Sequence, residues 1–263
     1  MSISKLSQID PNAQIGKNVT IEAFCVVEGD VEIGENCWIG PHVIIMNGTK
    51  IGNNCKVFPG TVLGSIPQDL KFDGEESLLE IGNNVVIREY CTVNRGTKAN
   101  FKTHIKDNTM LMAYVHVAHD CIIGEHSVLV NNVNLAGHIE IGKYVIMGGM
   151  SAVHQFVKIG DFCMIGGGSL VRKDVPPYVK AAREPLSYAG VNSIGLRRRG
   201  FSNKQINHIQ DIYRILFVKG YNTRQAIRII ETTINSTAER ETILDFMRQT
   251  DRGIMKGFRQ VSS

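Results

Sequence analysis

Two histidines and an aspartate interrupt an apolar run in the segment AYVHVAHDCIIG, residues 113–124. A neutral imidazole near pH 7 can accept a proton or bind a metal ion, and a neighbouring carboxylate can orient the ring. His116, His119 and Asp120 could therefore form a metal site, a catalytic base with its helpers, or simple polar decoration on a buried strand. The choice depends on the structure that positions these three residues.

A six-residue repeat runs through the chain on both sides of this segment. Steps of six from Ile3 to Val171 give 29 positions, and 26 of them hold Ile, Val, Leu or Met; the exceptions are Asp69, Glu75 and Ala99. Glycine often follows the aliphatic residue, where we expect it to permit the backbone conformation of a corner. The period is that of a parallel β-helix made of hexapeptide repeats. In hexapeptide-repeat families, which this pattern resembles, three hexads make one triangular coil.

The repeat also assigns the cysteines and the histidines to opposite sides of the wall. All six cysteines occupy its small inward position, where Cys acts as a small hydrophobic residue, so we predict neither a disulfide framework nor a zinc cluster of thiolates. None of the seven histidines in the repeat region occupies an inward position. Any site must therefore lie on an outer face, in a groove shared with a loop or with another subunit.

With a coil of three hexads, several polar residues are predicted to share one corner. Gly137 follows His119 by three hexads, and Gln155 follows it by six hexads. His138 and His154 fall beside them, so we expect three histidines at one corner on three successive coils, spaced by about 4.8 Å per coil. The alignment argues against random surface polarity. The spacing alone leaves two hypotheses open: a zinc site of three imidazoles, as in hexapeptide-repeat carbonic anhydrases, or a general base with polar neighbours.

Charge is distributed unevenly along the chain. The 263 residues carry a net charge of +4, but residues 1–171 carry −5 and residues 172–263 carry +9. A basic C-terminal region indicates an acidic partner such as a nucleic acid, an anionic membrane, a phosphorylated ligand or an acidic protein. We find no apolar run long enough for a transmembrane segment and no signal peptide, and therefore expect a cytoplasmic protein.

The chain is predicted to divide into a β-helix over residues 1–177, a connection over 178–200 and a helical domain over 201–263. Insertions near 64–80 and 98–104 interrupt the repeat. Pro176 and Pro177 are expected to end the coils, because proline cannot donate to a strand ladder, and the connection is expected to be irregular. SNKQ at 202–205 predicts a capping box, Gly220 a helix stop, Thr223 the cap of a second helix, and Ser236 with Glu239 the start of a third.

Five segments together resemble the family of UDP-N-acetylglucosamine O-acyltransferases, and the resemblance covers nearly the whole chain. They are PQDLKF (67–72), VAHDC (117–121), LAGH (135–138), AVHQF (152–156) and GVNSIGLRRRGF (190–201). The resemblance implies a left-handed parallel β-helix with a C-terminal α-helical domain, acting as a homotrimer with its sites between subunits. It also implies transfer of a 3-hydroxyacyl chain from acyl carrier protein to the glucosamine 3-hydroxyl of UDP-N-acetylglucosamine, the first step of lipid A biosynthesis. No cofactor and no metal are implied.

The resemblance implies a role for each matching residue. His119 would be the general base, Asp120 would orient its imidazole, and the backbone N–H of Gly137 would stabilise the oxyanion. Contacts to the sugar, its amide or the diphosphate would come from His116, His138, His154 and Gln155. Gln68, Asp69 and Lys71 would close over the sugar from the first insertion. Asn192, Arg198 and Arg199 would reach uridine and phosphate. Met164 and Gly167 match positions that set acyl-chain length, and Gly167 predicts a long chain.

Two positions depart from the family pattern. Asn94 replaces the histidine of an HRGT segment, and Ile194 stands where many relatives have glutamate. Both affect the prediction for nucleotide recognition rather than for the reaction. A zinc enzyme of carbonic anhydrase type remains the alternative, although its relatives lack the QDLK and GLRRRGF segments. We expect no nucleic-acid partner, because the tail shows no convincing helix-turn-helix, and its basic face suits an acidic acyl carrier protein.

Overall fold

The computed structural model describes residues 2–257, which form a triangular parallel β-helix followed by a small group of α-helices. Each coil contributes one short strand to each of three sheets. The aliphatic residue at every sixth position points inward, so a continuous column of Ile, Val and Leu side chains fills the helix. The predicted combination of a parallel β-helix and C-terminal helices is confirmed.

The strands divide among the three faces as follows. The first sheet contains Ser2–Ile3, Thr20–Ile21, Trp38–Ile39, Lys56–Val57, Val86–Ile87, Met110–Leu111, Val128–Leu129, Ile146–Met147, Met164–Ile165, Val179–Ala182, Ser187–Val191 and Lys256–Gly257. The second contains Gln8–Ile9, Val26–Val27, Ile44–Ile45, Val62–Ser65, Thr92–Asn94, His116–Val117, Asn134–Leu135, Ala152–Val153 and Leu170–Val171. The third contains Gln14–Ile15, Val31–Ile33, Thr49–Ile51, Leu78–Ile81, Lys102–Ile105, Ile122–Ile123, Glu140–Ile141 and Lys158–Ile159.

Two segments outside the strands, 66–77 and 95–101, lengthen their coils at the places where the repeat fails. His116 pairs with Asn134, which lies three hexads later, but Thr92 pairs with His116, which lies four hexads later. The strands resume in the same phase after each insertion. The inward column is therefore continuous, and the inserted residues lie outside it.

The corners are built differently from the prediction for glycine. Positive φ values occur mainly at residues other than glycine, such as Asp120 at 59° and His138 at 61°. Apart from Gly64, the glycines that follow the aliphatic residue do not have positive φ. They are needed because stacked corners approach too closely for a side chain: a Cβ on Gly34 would lie 2.7 Å from the carbonyl carbon of Gly52. Close approach, and not backbone conformation, explains the glycine column.

The cysteines occupy the positions that the repeat predicts. All six are buried and free, so the prediction that they serve as small core residues is confirmed. Burial raises the pKa of Cys91, Cys121 and Cys163 to about 12, which keeps these thiols protonated and chemically inert.

The segment 178–200 is more regular than predicted. Val179–Ala182 and Ser187–Val191 form an antiparallel pair, and a short helix α1 spans Ser193–Arg198. Val179–Ala182 also pairs in parallel with Met164–Ile165, so the first sheet continues beyond the two prolines. The prediction that Pro176 and Pro177 end the coils therefore holds for the other two sheets alone, because within residues 2–257 those sheets have no strand after Val171.

Three longer helices follow: α2 over Asn203–Phe217, α3 over Thr223–Thr233 and α4 over Ala238–Arg248. The capping box of Ser202 and Gln205 is confirmed. The other two caps differ by one residue from the prediction, since Asn222 and Thr237 supply them. The buried Tyr213 hydroxyl donates to the Pro177 carbonyl at 2.6 Å and fixes α2 to the end of the β-helix. Among the described residues, no helix combines the length and the apolar character that crossing a membrane requires.

Candidate active site

The turns 118–120, 136–138 and 154–156 stack on one another and form what we term the histidine corner. Its centre is a contact between His119, Asp120 and His138. Nδ1 of His119 lies 2.8 Å from Oδ2 of Asp120, and Nδ1 of His138 lies 3.7 Å from the same oxygen. The two imidazoles meet edge to face with their centroids 4.9 Å apart. The predicted cluster at this corner therefore forms, although with different neighbours from those expected.

Asp120 is only 2% exposed, so its carboxylate depends on protein partners. Thr97 supplies two of them: its backbone N–H donates to Oδ1 at 3.0 Å and its hydroxyl donates to Oδ2 at 2.7 Å. Burial alone would raise the pKa of Asp120, but the hydrogen bonds from His119 and Thr97 outweigh it and lower this pKa. Asp120 is therefore ionised at neutral pH.

The ionised carboxylate sets the tautomer of His119. Because a carboxylate only accepts hydrogen bonds, Nδ1 of His119 carries the hydrogen and Nε2 keeps its lone pair. His119 is 9% exposed, and its Nε2 forms no hydrogen bond with any described residue, so the Nε2 edge of the ring remains open. A fixed imidazole with an open Nε2 is the arrangement that a general base requires.

Gly137 lies one coil above His119, as predicted, and its lack of a side chain has a steric reason. A Cβ at this position would lie 2.5 Å from Cε1 and 2.7 Å from Nε2 of His119. Among the described residues, the backbone N–H of Gly137 donates to no acceptor, whereas the Gly137 carbonyl accepts from the Phe156 N–H at 3.2 Å. Gly137, which carries this free N–H, thus lies directly against the imidazole of His119.

The third coil differs from the prediction. Phe156, and not His154, stacks on His138, with ring centroids 4.5 Å apart. His154 is the first residue of the same turn and does not stack on His138. It is exposed, and its Nδ1 lies 3.2 Å from the Gln155 carbonyl oxygen. The coil count itself explains this, because Phe156 follows His138 by three hexads, whereas His154 falls two residues short of that spacing. His154 and Gln155 remain at this corner, but they lie outside the cluster of His119 and His138.

Burial lowers the pKa of both neighbouring histidines. For His138, burial is the largest cause and the nearby His119 adds to it, whereas Asp120 and Asp69 oppose it. His116 lies on the adjacent strand with Nδ1 2.7 Å from the Thr92 hydroxyl, and burial lowers its pKa as well. Both rings are therefore neutral at pH 7 and can donate or accept hydrogen bonds to an uncharged ligand.

The first insertion brings Gln68, Asp69 and Lys71 to the same side of the molecule. The charge of Asp69 acts on His138, and Asp69 Oδ1 accepts the backbone N–H of Lys71 at 3.0 Å. Gln68 and Lys71 are exposed. Asn94 anchors the start of this loop, because its Nδ2 donates to the Ile66 carbonyl at 2.7 Å. At 2% exposure, Asn94 has a structural position and not a surface position for nucleotide contact.

The remaining predicted residues lie at the other corners. We term the turns 124–126, 142–144 and 160–162 the aromatic corner; Arg199 lies 4.4 Å above the Tyr144 ring there. Arg198 is exposed beside it. Asn192 is 7% exposed and its amide is already occupied, since it caps α1 and donates to the Phe162 carbonyl at 3.0 Å. Within one chain, a full face of the coil separates Asn192, Arg198 and Arg199 from His119.

Met164 is exposed on the first sheet, and Gly167 belongs to the third corner, formed by turns 130–132, 148–150 and 166–168. A Cβ on Gly167 would meet the Gly149 carbonyl oxygen at 3.2 Å and nothing else closely, so the space above this glycine is open. The predicted chain-length residues are thus also distant from His119 within one chain.

The hydrogen-bond pattern distinguishes between the two hypotheses for the histidine corner. Donor atoms of His119, Asp120 and His138 lie within 4.8 Å of one another, which would allow a metal ion. Oδ2 of Asp120 is already used by His119 and by Thr97. His154, the third imidazole of the zinc hypothesis, is not among the three donors. The corner therefore fits proton transfer better than zinc coordination.

Sequence reasoning missed Thr92, Thr97, Thr103 and Phe156. Phe156 was visible in the AVHQF segment, and the break in the repeat at Ala99 marked the insertion that carries Thr97. Thr97 also ends the NRGT segment, but its role is not visible there, because its partner Asp120 is distant along the chain.

Comparisons with known proteins agree with this architecture. Residues 174–255 match the family model described as UDP N-acetylglucosamine O-acyltransferase, domain 2, and residues 30–65 and 102–137 match the bacterial transferase hexapeptide model. The acyl-[acyl-carrier-protein]–UDP-N-acetylglucosamine O-acyltransferase of Sulfurihydrogenibium sp. is 55% identical over 247 residues, covering 94% of this chain and 91% of that protein. The protein of the same name from Trichlorobacter lovleyi is 49% identical and covers 98% of this chain and 100% of its own.

A solved UDP-N-acetylglucosamine acyltransferase from Bacteroides fragilis superimposes with a TM-score of 0.95 at 46% identity, covering 96% of this chain and 99% of that one. The fold and the corner define the class: a left-handed β-helix acyltransferase built from hexapeptide repeats. The chain belongs to the family of acyl-[acyl-carrier-protein]–UDP-N-acetylglucosamine O-acyltransferases. The predicted family and enzyme class are therefore confirmed.

Proposed function

We propose that this enzyme transfers a 3-hydroxyacyl chain from acyl carrier protein to the glucosamine 3-hydroxyl of UDP-N-acetylglucosamine, the first step of lipid A biosynthesis. The relatives are named for the carrier-bound donor and the nucleotide-sugar acceptor. The observation that carries the mechanism is the dyad of His119 and Asp120, whose imidazole lies directly against Gly137.

In this mechanism Nε2 of His119 removes the proton of the sugar hydroxyl as its oxygen attacks the thioester carbonyl. The negative charge that develops on the carbonyl oxygen is stabilised by the Gly137 N–H, a preformed donor that needs no reorganisation. The carbon–sulfur bond then breaks, and the imidazolium returns the proton to the departing sulfur. Asp120 stabilises the imidazolium through Nδ1. No covalent enzyme intermediate, cofactor or metal takes part.

The neighbours of the dyad suit an uncharged sugar. His116 and His138 are neutral at pH 7, because burial lowers the pKa of each, and they can bond to hydroxyl and amide groups. We assign further sugar or diphosphate contacts to His154, Gln155, Gln68, Asp69 and Lys71. Arg198 and Arg199 are exposed guanidinium groups suited to phosphate. Asn192 acts in this proposal through α1, which it caps, and not by direct contact with uridine.

The three groups of site residues lie apart on one chain: at the histidine corner, at the aromatic corner, and on the first sheet with the third corner. This separation supports a homotrimer with sites between subunits. In such an assembly the histidine corner of one protomer faces residues of its neighbour, and Met164 and Gly167 line the acyl groove. The open space above Gly167 accommodates a long acyl chain. The net charge of +9 in residues 172–263 suits an acidic carrier protein, and six reduced cysteines suit the reducing cytoplasm.

Mass spectrometry of reactions with UDP-N-acetylglucosamine and carrier-bound 3-hydroxyacyl chains of varied length tests the proposal. We expect an O-acylated nucleotide sugar and a preference for long chains. Absence of product with every donor would overturn the proposed function, as would stoichiometric zinc at the histidine corner together with loss of activity on chelation. Acylation that requires an amino group on the acceptor would instead identify an amine-acylating enzyme.

A further inference from the structure

The second insertion, residues 95–101, reaches the buried side of the histidine corner. It adds one hexad to its coil, since Thr92 and His116 pair across four hexads instead of three. Its Thr97 is 6% exposed and lies against Asp120. Nothing in the packing of the β-helix requires this insertion, because the inward column continues unchanged on both sides of it.

Thr97 is the main partner of the buried carboxylate. The Asp120 side chain is fully buried, and three short hydrogen bonds reach it among the described residues. Two of them come from Thr97, one from its backbone N–H to Oδ1 and one from its hydroxyl to Oδ2. The third comes from His119 Nδ1. A buried carboxylate held by two donors from one residue cannot rotate without losing both.

The backbone of Asp120 is also held from the preceding coil. Its N–H donates to the Thr103 hydroxyl at 2.8 Å, and its φ of 59° is unusual for a residue with a side chain. Thr103 lies on the strand that follows the second insertion. The insertion and the strand after it therefore fix both the carboxylate and the backbone of Asp120.

We infer that Thr97 is a positioning residue for the base: by clamping the Asp120 carboxylate, it fixes the tautomer and the orientation of His119. This inference rests on the proposed function. Thr97 itself touches neither substrate nor the reacting atoms, and it acts through Asp120 alone. It also explains the second insertion, whose purpose is to deliver one hydroxyl and one N–H to a carboxylate.

The test compares Thr97→Val with Thr97→Ser in steady-state kinetics. Thr97→Val keeps the shape and the backbone N–H but removes the hydroxyl, so one hydrogen bond to a charged group is lost. We expect kcat to fall roughly 10- to 100-fold, with KM for the nucleotide sugar changed by less than about threefold. Thr97→Ser restores the hydroxyl and should recover kcat to within about threefold of the wild type.

Thr109→Val provides a matched control. Thr109 is a buried threonine of the same β-helix, but its hydroxyl donates to the Lys106 and Gly124 carbonyls, away from the histidine corner. It should lower the unfolding midpoint by an amount similar to Thr97→Val while leaving kcat unchanged. Equal losses of kcat in the two valine variants would mean that Thr97 has only a structural role.

A double-mutant cycle with Asp120→Asn separates positioning from general damage. If Thr97 acts through Asp120, Thr97→Val should reduce kcat no further in the Asp120→Asn background. Multiplicative losses would overturn the inference.

The pH profile provides a second readout. The groups facing Asp120 are His119 and His138, and Asp69 acts in turn on His138. Removing a donor from the carboxylate makes the dyad more basic, so the acidic limb of kcat/KM should move to higher pH in Thr97→Val. An unmoved limb would contradict the inference. Failure of the proposed function would be recognised separately, because the wild type would then form no acylated nucleotide sugar.

Discussion

The histidine corner and the aromatic corner lie on the same coils and share one backbone conformation. His138 in the first and His126 in the second both have positive φ, at 61° and 58°. Both rings stack on an aromatic residue of the next coil, His138 on Phe156 at 4.5 Å and His126 on Tyr144 at 4.6 Å. A half-buried, stacked histidine is thus a product of the solenoid geometry and does not by itself mark a catalytic corner.

The two corners differ in the residue one coil below the histidine. Asp120 lies below His138, whereas Asn108 lies below His126. An ionised carboxylate accepts from a neighbouring imidazole and stabilises its protonated form, which a neutral amide cannot do. An insertion also contacts the first corner, where Thr97 holds Asp120. One carboxylate and the segment that secures it thus distinguish the histidine corner from the aromatic corner.

Replacement of a histidine at each corner gives the largest expected effect. His119→Ala should lower kcat/KM by roughly 10²- to 10⁴-fold, because the general base is lost. His126→Ala, at the aromatic corner, should stay within about threefold of the wild type. Acyl-transfer assays on both purified variants check this difference. Similar losses in the two variants would show that the corners are functionally equivalent.

Gly137→Ala tests whether the histidine corner depends on the position of one ring. The new Cβ would lie 2.5 Å from Cε1 of His119 and must displace the imidazole from Asp120. A misplaced base should lower kcat by about 10²-fold. Steady-state kinetics measure this loss of kcat, and thermal unfolding serves as the control for correct folding. An unchanged kcat would show that the ring tolerates displacement and that the close approach of Gly137 is incidental.

Acid sensitivity gives the smallest expected effect. Burial lowers the pKa of His116 and His138. Below about pH 6.5 these two histidines therefore bind more protons in the unfolded chain than in the folded chain. Stability should therefore fall as the pH decreases from 7 to 5, and the lowered pKa of Asp120 adds a loss at still lower pH. Unfolding midpoints should depend less on pH in His138→Asn than in the wild type. An equal dependence of the unfolding midpoint on pH in both proteins would show that groups other than His138 cause the acid sensitivity.

The architecture was predictable from the sequence because each inward position repeats at a period of six. A buried aliphatic residue at that spacing requires a β-helix, and the inward cysteines, the two insertions and the capping box of α2 follow from local patterns. The connection over 178–200 was harder to predict. Its strand Val179–Ala182 forms by pairing with Met164–Ile165, a partner that no local pattern specifies.

The candidate site was likewise predictable from the sequence only in part. Counting by coils was enough to bring His119, Gly137 and His138 to one corner, since stacking preserves the spacing along the chain. The same count puts Phe156 above His138, where the structure has it. Only the tertiary structure decided that Asn192 is used to cap α1 and that Thr97 clamps Asp120. These outcomes depend on side-chain direction within a turn and on an insertion that folds back across one coil. Periodicity contains neither kind of information, because it describes where the backbone returns and not what each side chain contacts.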